Sequence, residues 1–209
     1  MRARRLAALI LSASAIAGCG SKTTLLHTSS SSSSTSTGAS TSAAGSGTAT
    51  TTTAPAGTVK SADGQFATVI PDGFVNALSR VQGGPINIQY LAVGPRHDGF
   101  ATNINVVHEP SRGQTSIDKV TGLEIAGIKR IEPQAHQFSQ VQSLTVDGQP
   151  ARAIDYLSLP DKHRLLHQYQ VFVVKGATIY TITYSALPSS YSDNLASVKQ
   201  VTDGWHWLS

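Results

Sequence analysis

The chain contains one cysteine among 209 residues, and only 6% of its residues are aromatic and 13% charged. A single cysteine forms no internal disulfide, so a disulfide framework is excluded, as is a cysteine-rich zinc site. The sequence also lacks a Gly-x-Ser-x-Gly elbow, a P-loop, a Gly-x-Gly-x-x-Gly turn and a His-Glu-x-x-His motif. We therefore predict a protein that is not an enzyme and that holds no cofactor and no metal.

The formal net charge of +4 does not indicate a nucleic-acid partner. Four of the 16 basic residues lie in the N-terminal segment, at Arg2, Arg4, Arg5 and Lys22, whereas all 12 acidic residues lie from Asp63 onward. The remaining basic residues are therefore balanced by acids, and they are scattered along the chain. A protein that binds phosphates shows a clustered basic stripe instead. We expect no nucleic-acid binding.

The N-terminus has the pattern of an export signal. Three arginines precede an apolar run of 13 residues, from Leu6 to Gly18, which is too short to span a bilayer that needs about 20 residues. Its ending, Ile16-Ala17-Gly18-Cys19, resembles the lipobox of bacterial lipoproteins. That resemblance implies cleavage between Gly18 and Cys19 and acylation, by palmitate or a similar chain, of the Cys19 thiol. The alternatives are a signal peptide without lipidation and an N-terminal anchor helix.

These features predict three segments. Residues 1–18 are the lipoprotein signal peptide, and residues 19–58 are the lipidated cysteine with a Ser/Thr-rich tether. The tether is too poor in apolar residues to offset the entropy of ordering, so we expect it to be flexible. Residues 59–209 are long enough to form one globular domain. Because two or three acyl chains anchor a protein stably, we predict a domain tethered to the extracytoplasmic face of the cell membrane.

In residues 59–209, apolar and polar residues mostly alternate with the period of two that is typical of strands. A Ser/Thr-Asp spacing at Thr115 and Asp118 predicts a helix that ends before Pro133, and a second helix is predicted from Pro188. The connections are too short for parallel crossovers, so we predict an α+β fold with an antiparallel sheet packed by helices. Strands are predicted at 66–70, 86–93, 100–108, 139–146, 151–159, 163–174 and 177–185, with a loop at 94–99.

Three stretches resemble the PsbP-like, Mog1-like and DcrB-related domains, and with the lipobox and tether they resemble the LpqN-like lipoproteins of actinobacteria. The resemblance implies an α/β/α sandwich around an antiparallel sheet, usually in accessory, partner-binding proteins without catalytic residues. No family site residue can be carried over to this chain. Phe74 stands where many members have tryptophan. The stretches are Phe66-x-Thr68-x-Ile70-Pro71-x-x-Phe74, Leu144-x-Val146-x-Gly148-x-Pro150-Ala151-x-Ala153-x-Asp155-Tyr156 and Tyr180-x-Ile182-Thr183.

Several polar residues on the predicted strands are candidates for a metal site or a functional carboxylate. His163 and His167, four apart on one strand, lie about 13 Å from each other, which is too far to share a metal ion. His97 and His108 each precede an acidic residue at a strand end, where ordinary solvated polarity is the simpler interpretation. Asp155 interrupts an apolar alternation, either as a functional carboxylate or as a residue paired with a neighbouring Lys or Arg.

Trp205 and Trp207 share one face of a terminal strand. If exposed, they form an aromatic anchor for a partner or a glycan, because tryptophan is favoured at binding hot spots. If buried, they close the core beneath the last helix. The sequence leaves both interpretations open, and we keep the pair as candidate partner-binding residues.

The leading functional hypothesis is a non-enzymatic, lipid-anchored envelope protein whose domain binds another envelope protein or a cell-wall component. The alternative is a carrier or binder of a small apolar ligand or envelope lipid. A hydrolase of wall polymers would need a nucleophile and a base that the sequence does not offer. A cavity of about 300 Å³ or more with apolar walls and a few polar groups favours the carrier, and a solid core favours the binding module.

Overall fold

The computed structural model describes residues 54–160 and 163–208. The predicted signal peptide, Cys19 and the tether up to residue 53 lie outside the described residues. Within the described ranges, no helix combines the length and apolarity that crossing a bilayer requires.

The centre of the domain is a seven-stranded sheet with the strand order β3-β4-β5-β9-β8-β7-β6, and a smaller sheet has the order β1-β2-β10. Every pairing in both sheets is antiparallel, which confirms the predicted α+β class. The strands are β1 Val59–Lys60, β2 Phe66–Thr68, β3 Val75–Asn76, β4 Ile88–His97, β5 Phe100–Pro110, β6 Gln142–Val146, β7 Gln149–Ser158, β8 Leu166–Lys175, β9 Thr178–Ala186 and β10 His206–Trp207; the helices are α1 Ile117–Ile131 and α2 Ala196–Asp203.

The two helices lie on opposite faces of the central sheet. Alternate residues of β5 and β9, such as Ile104 and Ile182, point to the α2 face and join the largest hydrophobic cluster, together with Val198 and Val201 of α2. On the other face, Ile128 of α1 packs with Tyr156 and other side chains of β7 and β8. The small sheet closes the α2 side through Phe66 and the two tryptophans.

Helix α1 begins one residue later than its sequence pattern predicts. The side chain of Ser116, not Thr115, accepts a hydrogen bond from the Lys119 backbone N–H at 3.4 Å, so Ser116 is the N-cap. The helix ends at Ile131, two residues before Pro133, as predicted. Its buried residues follow a helical spacing, which gives α1 one face against the sheet: Val120, Thr121, Glu124 and Ile128.

The predicted loop at 94–99 is wrong, because β4 continues through Gly94 and Pro95 to His97. The pairing with β5 is irregular between Val93 and Arg96, which is the position of a β-bulge. Gly94 lets the ring of Phe74 lie against the strand, since a Cβ there would stand 2.6 Å from that ring. Gly94 is therefore needed for the close contact with Phe74 and does not mark a turn. Only Asp98 and Gly99 form the turn.

Two further boundaries differ from the sequence-based expectation. Strand β8 begins at Leu166, so His163 precedes the strand and is not on it. The C-terminal helix is preceded by two short 3-10 turns, Pro188–Ser190 and Ser192–Asn194, and α2 itself covers only Ala196–Asp203. Proline supports the start of the first turn because its φ is already suitable for a helical conformation.

The interpretation of Trp205 and Trp207 as an exposed partner-binding pair is wrong. Only 1% of Trp205 and 8% of Trp207 is exposed, and the Trp205 ring stacks on Phe66 with 3.9 Å between centroids. Trp207 pairs with Phe66 across β10 and β2 and packs against Tyr180. The small sheet holds both indoles against the core, so the core-packing alternative is confirmed.

A groove beside helix α1

Part of the sheet face on the α1 side is polar, although it is buried. Because polar residues alternate along these strands, the sequence pattern would suggest a solvent-exposed face. In the structure each of these residues is at most 6% exposed. These residues are Asn103 and Asn105 on β5, Gln168 and Gln170 on β8, and Thr183 and Ser185 on β9.

Part of this polar layer lacks protein hydrogen-bond partners. The hydroxyl of Tyr156 donates to Gln168 Oε1 at 2.8 Å, whereas Gln168 Nε2 and Gln170 Oε1 have no partner within residues 54–160 and 163–208. Burial raises the pKa of the Tyr156 hydroxyl well above its ordinary value. A buried polar atom without a partner is costly unless water reaches it. The α1 side of the sheet is therefore not packed by apolar contacts alone.

A groove lies where α1 leaves the sheet uncovered. The helix packs on β7 and β8, and the space between its other side and the ends of β5 and β9 forms a cavity of about 310 Å³. Leu123, which is 54% exposed, stands at this cavity. The lining is mostly apolar, from Pro110, Val120, Leu123, Ala126, Gly127 and Ile179, with the polar residues Glu109, Ser111, Arg112, Gln114, Glu124 and Arg130.

Gly127 keeps part of this groove open. A glycine inside a helix costs roughly 0.5–1 kcal/mol relative to alanine, so its presence at the wall needs a reason. A Cβ at this position would meet no heavy atom within 4 Å, so the space that a side chain would fill is empty. Gly122, the other glycine of α1, has the same freedom but does not line the groove.

Two carboxyl groups meet in the groove from different elements. Glu124 of α1 is 8% exposed, and burial, followed by the charge of Glu109 on β5 and a hydrogen bond with it, raises the pKa of Glu124 to about 7. Below that pH the Glu124 carboxyl keeps its proton and can donate a hydrogen bond. Below about pH 7, Glu124 therefore adds little negative charge to the groove.

Two arginines from different elements also line this groove. Arg112 lies in the β5–α1 connection and Arg130 in the last turn of α1, and both are exposed. Among the described residues, neither guanidinium has an ion-pair or hydrogen-bond partner. The groove thus combines apolar walls, a carboxyl pair and two arginines.

No protein-family model and no curated protein matches the sequence. Solved structures do match the fold. The structure of LpqN, involved in cell envelope biogenesis of Mycobacterium tuberculosis, superimposes with a TM-score of 0.53 at 15% identity, covering 69% of this chain and 83% of LpqN.

Two further structures agree with this match. Cyanobacterial PsbP from Synechocystis gives a TM-score of 0.52 at 13% identity, covering 78% of this chain and 98% of that protein. The Saccharomyces cerevisiae Ran-binding protein Mog1p gives 0.51 at 14% identity, covering 72% and 94%. The chain has the PsbP/Mog1-like fold. At these identities the likeness concerns the fold, and it confirms the resemblance inferred from the sequence motifs.

The histidines of the PsbP/Mog1-like domain do not assemble into the sites that the sequence left open. His108 and Glu109 point to opposite faces of β5 because side chains alternate along a strand. The Nδ1 atom of His108 lies 2.9 Å from Asp63 Oδ2, whereas Glu109 faces the groove. Within residues 54–160 and 163–208, no three histidine, cysteine or acidic side chains cluster as metal ligands.

Asp155 pairs with a histidine, not with the lysine or arginine that the sequence suggested. Its Oδ1 lies 3.2 Å from Nε2 of His167, whose ring stacks on Tyr191 at 3.5 Å between centroids. Asp155, Tyr169 and Tyr191 line a second cavity of about 570 Å³ between α2 and strands β6 to β8. The two cavities lie on opposite faces of the PsbP/Mog1-like sheet, and the groove beside α1 is the more apolar of the two.

Glu124→Gln is expected to be more stabilising at high pH than at low pH. The pKa of Glu124 is about 7 in the folded domain against an ordinary value of 4.5, so the folded state is favoured below about pH 4.5 and loses that advantage up to about pH 7. At about 1.4 kcal/mol per pKa unit, the stability gap between variant and wild type should widen by about 2–3 kcal/mol between those pH values.

Urea unfolding at about pH 4.5 and about pH 8 measures this gap, with the exposed carboxyl of Asp72→Asn as the matched control. Taking the difference from wild type removes the contribution of Glu132, because burial raises the pKa of that carboxyl to about 7 as well. A gap that does not change with pH would show that Glu124 ionises in the folded domain as it does in water.

Proposed function

We propose that this protein is a lipid-anchored protein of the bacterial cell envelope whose domain is not catalytic and binds a small molecule with an apolar body in the groove beside α1. The observation that carries the proposal is the cavity of about 310 Å³ with mostly apolar walls. That size and lining meet the criterion that separates a ligand carrier from a solid binding module. We therefore favour the carrier hypothesis over the partner-binding hypothesis.

Three features support this proposal. The export signal and the lipobox-like ending at Cys19 suggest an anchor on the extracytoplasmic face of the membrane. LpqN, which has the same fold, is a protein of cell envelope biogenesis. Leu123, at the groove, offers an exposed apolar contact for an entering chain. Together these features suggest that the domain receives an apolar compound close to the membrane.

Filling the groove tests the proposal. In the mature chain (residues 19–209) with Cys19→Ala, so that no acyl chain competes, wild type is expected to bind the neutral apolar probe N-phenyl-1-naphthylamine. Gly127→Leu should weaken that binding about tenfold or more, a loss of about 1.4 kcal/mol, because the new side chain occupies the cavity. Fluorescence titration of the probe gives the dissociation constant.

Gly122→Leu is the matched control, since it makes the same change in the same helix away from the groove and gains the same helix propensity. It should bind the probe as wild type does. Absence of probe binding by wild type, or unchanged binding by a folded Gly127→Leu variant, would overturn the groove as a ligand site.

A second candidate function is partner binding through a sheet edge. Strand β6 is the last strand of the seven-stranded sheet, and Val141 beside it is 46% exposed. An open edge presents unpaired backbone groups to which a partner strand can add. Chemical crosslinking to one envelope protein that is lost in Val141→Lys, while probe binding in the groove persists, would favour this function.

A further inference from the structure

The charges at the groove point to the kind of ligand it takes. Apolar walls accept a hydrocarbon chain, but they do not distinguish among alcohols, acids and amines. The distinction comes from Arg112 and Arg130, two exposed cations that line the cavity and have no acidic partner among the described residues. Guanidinium groups are suited to carboxylate and phosphate, which they can bind through two parallel hydrogen bonds.

Arg112 has an unusual backbone conformation. Its φ is 52° and that of Gly113 is 80°, and the Gln114 N–H donates to the Ser111 carbonyl at 2.9 Å, so these residues form a tight turn with two left-handed positions. A non-glycine residue in this region is uncommon and its backbone is strained. The turn is also tied to the sheet, because the Ser111 N–H donates to the Ala177 carbonyl at 2.7 Å. The strained position of Arg112 is thus held at the groove by two backbone hydrogen bonds.

The carboxyl groups of the groove do not cancel these cations in neutral or acidic solution. While Glu124 keeps its proton, Glu109 is the only one of the two carboxyl groups that can carry a negative charge. Two arginines then face at most one carboxylate, so the cavity has an excess of positive charge. The protonated carboxyl of Glu124 can itself donate a hydrogen bond to an anionic head group.

We propose that the ligand is an anionic amphiphile, whose single hydrocarbon chain lies along the apolar walls of the groove and whose carboxylate or phosphate head binds Arg112 and Arg130. This inference rests on the proposed function, because it assigns the head-group chemistry of the same site. Like-charge repulsion disfavours a cationic amphiphile, and a neutral one leaves both guanidinium groups without an anionic partner.

The test compares chains of equal length with different heads. Dodecanoate, dodecyl phosphate, dodecanol and dodecyltrimethylammonium, each below its micelle concentration, compete with N-phenyl-1-naphthylamine for the mature chain carrying Cys19→Ala. We expect dodecanoate or dodecyl phosphate to displace the probe at concentrations at least about tenfold lower than dodecanol, and added salt should reduce that difference because it screens exposed charges. The better of the two anions distinguishes a fatty-acid head from a phosphate head.

Variants assign the preference to the two arginines. Arg112→Gln with Arg130→Gln should remove the preference, so that dodecanoate, dodecyl phosphate and dodecanol bind this variant with similar affinity. The matched control, Lys60→Gln with Arg80→Gln, removes two cations that do not line the groove and should keep the preference.

The two proposals fail in different ways. Equal displacement by dodecanol and the anions, or an anion preference that survives in the double arginine variant, would overturn the head-group inference while the groove still binds apolar chains. Loss of all probe binding in wild type, or no effect of Gly127→Leu, would overturn the ligand function itself. Displacement by dodecyltrimethylammonium at the lowest concentration would overturn the sign of the charge.

Discussion

Trp205→Ala is expected to lower the free energy of unfolding by about 3–5 kcal/mol, the usual cost of emptying a large core site. Trp205 is 1% exposed, stacks on Phe66 and contacts the rings of Tyr180 and Trp207. Its removal leaves a cavity where the small sheet, α2 and the central sheet meet. Since a domain of this size has a margin of about 5–15 kcal/mol, the loss is a large fraction of the whole.

Denaturant unfolding of the variant beside wild type measures this change, with the exposed residue Val75 replaced by alanine as a control that should change stability by less than about 0.5 kcal/mol. Fluorescence provides a second check, because the chain has only two tryptophans. Both should emit at short wavelength and resist quenching. Red-shifted, quenchable emission from the native protein would contradict the buried positions of the indoles.

Cys19→Ala is expected to abolish lipid labelling completely and either to block processing or to release the protein from the membrane. The reason is chemical, since only a thiol forms the thioether that carries the lipid, and the chain contains no other cysteine. Metabolic labelling with a palmitate analogue, followed by membrane fractionation, measures both effects. Ser21→Ala, just beyond the predicted cleavage site, should be labelled and retained as wild type.

A different anchor would give a different result. If Cys19→Ala partitions to the membrane unchanged and keeps its leader, the segment Leu6 to Gly18 would be acting as an N-terminal anchor helix. The lipid anchor would then be replaced by a protein segment, and the tether would begin at another residue. The groove and its chemistry would not be affected, because they lie wholly within residues 109–179.

Local sequence signals predicted much of the fold. Apolar and polar residues alternate with period two along the strands, so the short β2 and the six longer strands lie near their predicted positions. Helix α1 begins one residue later than predicted and ends before Pro133. Predictions from local sequence failed where a contact with a residue distant in the chain determined the structure. Gly94 and Pro95 have the composition of a turn, yet the ring of Phe74 lies against Gly94 and the strand continues. Trp205 and Trp207 are residues typical of a binding surface, yet the pairing of β10 with β2 holds them in the core.

The sequence by itself determined the class of fold, the antiparallel pairing that short connections require, the end of α1 before Pro133 and the position of the one cysteine. Only the tertiary structure decided which face of each alternating strand is buried, because a period of two is the same whichever face is covered. Asn105, Thr183 and Gln170 share a pattern with solvent-facing residues, yet they are buried in the folded domain. In the same way, Glu109 and Glu124 meet because the β5–α1 connection folds the helix back over the sheet, and no local pattern encodes that contact.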